Sequence, residues 1–204
     1  MFTEKELSAL ILHPKVKESV QNLKNKFIEE EAPFMEISDH DFLALMLLTP
    51  SVGIALADDS ITLFEEIALN KKARKYSKGG YFLKKDPVVD AMKHLIKDYD
   101  RWGPVFLEQL RIFIEDMVDK KALMQSKIDE EGTTDEEYLV EVLQAPFLFI
   151  RFVSSFLSNS EDEDFAARRK VSQKEYDRIV DILKRIDIID IPLVRKHLSK
   201  YVVK

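Results

Sequence analysis

Residues 138–157 read YLVEVLQAPFLFIRFVSSFL, and no other stretch of the chain packs so much apolar bulk into so little length. Between positions 145 and 157 the only charge is Arg151, while Phe147, Phe149, Phe152 and Phe156 spread around a helix rather than along one stripe. A helix that is apolar all round is surrounded by other protein or by lipid. Length separates the two, because a spanning helix needs roughly 20 predominantly apolar residues. The uninterrupted run here is 13, and extending it backwards takes in Glu141 and Gln144 and leaves Pro146 inside. The stretch therefore reads as the central buried helix of a bundle, kinked or restarted at Pro146, which lacks the N–H and crowds the preceding turn. Arg151 is its odd residue: buried, its guanidinium needs a carboxylate or several carbonyls, which makes it a candidate anion contact. Snorkelling to a rim is the simpler alternative.

The rest of the composition fits a soluble globule. With 46% hydrophobic and 33% charged residues the chain can build a substantial core and does not read as disordered. Only five glycines and little strand-like alternation point to an all-α chain. The absence of cysteine excludes a disulfide framework, a zinc–thiolate site and a cysteine nucleophile. The start, MFTEKELSAL, carries acids where a secretory signal carries bases and an apolar run, so a cytoplasmic location is expected. A net charge of −6 argues against the whole molecule acting as an electrostatic glue for nucleic acid or anionic membrane.

Cap and proline signals set the helices. Thr3 with Glu6 fits a capping box for a helix to about Leu12, and His13-Pro14 starts a second carrying Val16, Val20, Leu23 and Phe27. Ser38 or Asp39 caps a third, after which residues 42–57 carry no charge; Thr49-Pro50 is expected to divide them into two short buried helices. Ser60 opens a helix through Ile61, Phe64, Ile67 and Ala68 that dissolves into a basic loop at 71–85. Asp86-Pro87 starts the next, with Val88, Met92, Leu95, Tyr99 and Trp102 as inner stripe, and Gly103-Pro104 is expected to stop it and seed another reaching about Ile128. Thr133 or Thr134 caps the phenylalanine-rich stretch. Residues 158–171 read as a surface linker, and Ser172 with Glu175 opens a C-terminal helical pair, residues 172–204, that packs on the rest or serves as an arm. The expectation is one all-α domain, residues 1–204, a multi-helix bundle of about eight or nine helices with a central apolar helix.

Only one constellation stands out. Lys71, Lys72, Arg74, Lys75, Lys78, Lys84 and Lys85 bring seven positive charges with no acid among them, interleaved with Tyr76, Tyr81 and Phe82 around Gly79-Gly80. Cations, a sharp turn and π-faces suit an acidic protein partner, or a phosphate backbone. His94 between Asp90 and Asp98 lies on one helix face, but that face is opposite the apolar stripe and reads as solvated, so no metal is expected. His40 sits between Asp39 and Asp41 at a helix start, where acids serve capping and dipole. No phosphate-cradling loop or nucleophile elbow occurs, so no catalytic residue and no cofactor is named.

The order Glu65-Glu66-Ile67-Ala68, Ser77-Lys78-Gly79 and Lys85-Asp86 resembles the DNA-binding helix-turn-helix of TetR-type repressors. The gaps between these pieces, and nearly sixty residues ahead of them, depart from that pattern, so no residue role is carried over. The sequence thus suggests a non-catalytic interaction or regulatory protein whose basic stretch, with Tyr81, contacts an acidic protein partner. The alternatives are a ligand-responsive regulator that binds nucleic acid and an enzyme with a dispersed site. No membrane span is expected. Homo-oligomerisation is open, since two apolar stretches can exceed what the chain covers.

Overall fold

The computed structural model describes residues 2–79, 85–128, 132–157 and 169–204. Among them the chain forms eleven helices and two three-residue strands, an all-α bundle of somewhat more helices than the sequence suggests. The chain divides into two compact units, Phe2–Leu110 and Arg111–Lys204.

The first unit holds α1 (Glu4–Leu10), α2 (Pro14–Glu31), α3 (Asp39–Ala55), α4 (Leu63–Tyr76), α5 (Pro87–Lys97) and most of α6 (Tyr99–Met117). Its centre is α3, in which every residue from His40 to the end is buried. Helix α3 packs against α1, α2, α4 and α5, so each side of it meets another helix. Phe27, Phe42, Trp102 and Phe106 meet edge-on or tilted with ring centroids 5.0–5.7 Å apart, a geometry that aromatic quadrupoles favour. Trp102 finishes the cluster by donating its indole N–H to Glu31 at 2.8 Å.

Two proline signals are overridden. Helix α3 runs through Thr49-Pro50 instead of dividing there: the Thr49 hydroxyl donates to the Leu45 carbonyl at 3.3 Å, and the Tyr99 phenol donates to the Thr49 carbonyl at 3.3 Å. Gly103-Pro104 likewise lies inside α6, and the break falls earlier, at Asp98, which closes α5. Glycine at 103 is explained by the Tyr99 ring, which a Cβ there would meet at 2.7 Å. Five stripe residues, Val88, Met92, Leu95, Tyr99 and Trp102, are buried as their spacing predicts, although they span two helices.

The second unit holds α7 (Lys120–Met124), α8 (Asp135–Gln144), α9 (Phe147–Leu157), β1 (Arg169–Val171), α10 (Gln173–Arg185), α11 (Pro192–Leu198) and β2 (Tyr201–Val203). Helix α6 ends at Met117 and a separate short helix follows, so the expected continuation to Ile128 fails. The expected linker at 158–171 lies largely outside the described residues, and its last three form β1. Strands β1 and β2 are parallel, Arg169 opposite Tyr201 and Val171 opposite Val203, with α10 and α11 between them in sequence. Parallel strands need such a crossover. Both strands also hold the end of α9, since Arg169 Nη1 and the Tyr201 hydroxyl donate to the Leu157 carbonyl at 2.6 and 2.9 Å.

The phenylalanine-rich stretch breaks at Ala145-Pro146 into α8 and α9, and it is not the all-round buried element. Phe149, Phe152, Val153, Phe156 and Leu157 are buried, whereas Leu139, Val140, Leu143, Phe147 and Leu148 are exposed, Leu143 by 83%. The helix buried all round is α3, in the first unit, whereas in the second unit α8 and α9 are buried on one face only. Composition shows that a stretch is apolar; it does not show how many neighbours will cover it.

Candidate interaction surface on the fourth helix

Helix α4 begins at a reciprocal cap that the spacing Thr62-x-x-Glu65 encodes. The Thr62 hydroxyl accepts from Glu65 N–H at 3.3 Å while the Glu65 carboxylate accepts from Thr62 N–H at 2.8 Å. Glu65 and Glu66 at the start and Arg74 and Lys75 in the last turn complement the helix dipole. The basic stretch is therefore helical through Tyr76, not a loop from 71 onward. Alanine, lysine and arginine are good helix formers, and cations are favoured at a helix C-terminus.

The inner face of α4 is Leu69, Ala73 and Tyr76, all buried. At about 100° per residue, Phe64, Ile67, Ala68, Lys71, Arg74 and Lys75 fall within one arc on the opposite side, and all six are exposed. Phe64, Ile67 and Ala68, the apolar residues that the sequence places on this helix, thus belong to its outer surface. Phe64 is 84% exposed. One helix face carries apolar bulk at its N-terminal half and cations at its C-terminal half.

The end of α4 is fastened to the centre of the unit. Ser77 is buried and its N–H donates to the Ala73 carbonyl at 2.9 Å; Lys78 N–H donates to the Asp41 carboxylate at 2.9 Å. Asp41, fully buried at the start of α3, also accepts from the Ser38 hydroxyl at 2.8 Å and lies 3.3 Å from His40 Nδ1. His40 Nε2 faces the Glu4 carbonyl at 3.4 Å. An oxygen acceptor lies beside each ring nitrogen, and only the imidazolium donates from both. The hydrogen bond to Asp41 raises the His40 pKa above its ordinary value, against burial, with help from the Glu4 carbonyl. This cluster ties α1, α3 and the segment after α4 together. For Asp39, burial works to raise the carboxyl, but hydrogen bonds from Lys24 and Gln21 and the Lys24 charge outweigh it and hold it below its ordinary value.

The predicted site residues are only partly brought together. Lys71, Arg74 and Lys75 share the outer face of α4, Lys72 is half-buried on its flank, and Lys78 is exposed just beyond the helix. Lys85 is exposed next to Asp86, the cap of α5. Tyr81 and Lys84 lie outside the described residues. Arg151, in the other unit, is half-buried with its guanidinium 4.6 Å from the centre of the Phe147 ring.

An open cavity of about 380 Å³ in the second unit is lined by Lys127, Ile128, Thr133, Glu137, Val140 and Glu141. Glu137 caps α8 there: hydrogen bonds from the Thr134 backbone and hydroxyl hold its carboxyl below the ordinary value. Among the described residues no group of three or more His, Asp or Glu could hold a metal ion, and no helix is long and apolar enough to cross a membrane. The chain matches no family model, no curated protein and no solved structure.

Proposed function

We propose that this chain is an α-helical interaction module whose α4 outer face docks an acidic protein segment carrying apolar anchors. The observation that carries the reading is the alignment of exposed Phe64 and Ile67 with Lys71 and Arg74 on one rigid helix. Apolar residues there supply affinity by leaving water, and the cations steer and orient an acidic partner. A purely phosphate-directed surface has no need of the exposed phenylalanine and isoleucine, which favours protein over nucleic acid. The Asp41 cluster supports the role by fixing the end of α4.

The test is fluorescence anisotropy with three labelled probes: a peptide combining glutamates with leucines, duplex DNA and single-stranded RNA, each at two salt concentrations. The reading predicts saturable peptide binding, weakened at least tenfold by Lys71→Glu with Arg74→Glu and moderately by salt. Nucleic-acid binding that falls steeply with salt, with no peptide binding, would replace it with the regulator reading.

A further inference from the structure

We infer that the acidic partner of α4 is a second copy of this chain, which offers the exposed face of α8 and the start of α9. The inference rests on the reading of α4 as a docking face and goes further by naming what docks.

On α8 the buried residue is Tyr138, and the opposite arc carries Glu136, Leu139, Val140 and Leu143, all exposed. Phe147 and Leu148 continue the apolar surface at the start of α9 and are also exposed. The first turn of α8 is acidic, with Asp135, Glu136 and Glu137. Read from the N-terminus, α4 presents apolar residues and then bases, whereas α8 presents acids and then apolar residues. Placed antiparallel, the basic end of α4 meets the acidic first turn of α8 and the apolar end of α4 meets the apolar end of α8, and their dipoles oppose favourably.

The spacing also fits. Arg74 and Ile67 are seven residues apart, as are Glu136 and Leu143, about 10 Å on each helix at 1.5 Å per residue. With Arg74 opposite Glu136, Ile67 meets Leu143 and Phe64 meets the Pro146-Phe147 corner, while the Lys71 stem lies over Leu139 with its ammonium toward Glu136. Asp135, which pairs with Lys200 at 3.1 Å within its own chain, borders the same acidic end. Each copy carries both faces, so one kind of chain supplies both sides of the contact. Such a contact covers Phe64 and Ile67 on one helix and Leu139 and Leu143 on the other, exposed apolar side chains of the kind that mark association surfaces.

Sedimentation velocity of the full chain across a micromolar range is the test, with circular dichroism confirming that each variant is folded. The mass should rise with concentration to at least that of two chains. Lys71→Glu with Arg74→Glu, or Asp135→Arg with Glu136→Arg, should each weaken association at least tenfold. Mixing the two variants should restore it, because all contacts then join opposite charges. Wild-type protein that stays a single chain at every concentration, or association that both reversals leave unchanged, overturns the inference. If the chain stays single but the glutamate–leucine peptide binds α4, the self-partner fails and the docking role stands; if neither happens, both fail.

Discussion

Asp41 has no access to solvent, and the hydrogen bonds around it show why it is tolerated. Ser38, His40 and the Lys78 amide all point at its carboxylate, so a group that would be costly to bury alone becomes the knot of three segments. Replacing Asp41 with alanine leaves the buried His40 ring without its carboxylate and removes the acceptor of the Ser38 hydroxyl and the Lys78 amide, and should lower the unfolding free energy by about 3 kcal/mol in denaturant titration. His40 gives the knot a pH dependence. Its pKa is raised in the folded state, so its contribution is fully present below the ordinary value of 6.5 and is lost as pH rises through the higher folded value. Wild-type stability should fall across that window more steeply than that of His40→Gln, and equal slopes would remove His40 from the account. The sequence shows Asp39, His40 and Asp41 as a helix start; it does not show that the half-buried Asp39 faces Lys24 while Asp41 turns inward to the Lys78 amide 37 residues away.

Most helix starts were readable because capping is local, although α4 begins at the Thr62–Glu65 pair and not at Ser60, which leaves Ile61 ahead of the helix. Thr3 with Glu6 and Ser172 with Glu175 form the reciprocal pairs their spacing predicts, and Ser38, Asp86 and Thr134 cap where expected. Thr62→Ala should cost about 1 kcal/mol by thermal or chemical unfolding, because α4 loses the same kind of cap. Proline was misleading at both places. At Pro50 the Tyr99 hydroxyl, fifty residues away, donates to the Thr49 carbonyl, a contact no local window shows, whereas at Gly103-Pro104 the close neighbour is Tyr99, four residues earlier in the same helix. Gly103→Ala should therefore destabilise by about 1–3 kcal/mol, and by much less in a Tyr99→Leu background, where the ring is gone. An undiminished cost in the double variant would place the strain elsewhere.

At the scale of the molecule, each compact unit holds one long apolar stretch, and the uncharged residues 42–57 are the more completely enclosed. Helix α3 has neighbours on every side, whereas α8 and α9 leave Leu139, Leu143 and Phe147 to solvent. The basic run was legible as charge from 71 onward, but its apolar companions were not, because Phe64 and Ile67 have the same helical spacing as a buried stripe. Only the position of α4 on α3 and α5 shows that Leu69, Ala73 and Tyr76 face inward. Amide chemical-shift mapping of the full chain, titrated with the glutamate–leucine peptide, tests the central claim most directly. The account predicts the largest shifts along Phe64, Ile67, Lys71 and Arg74, with little change on α2; shifts concentrated elsewhere, or none at saturating peptide, would contradict it.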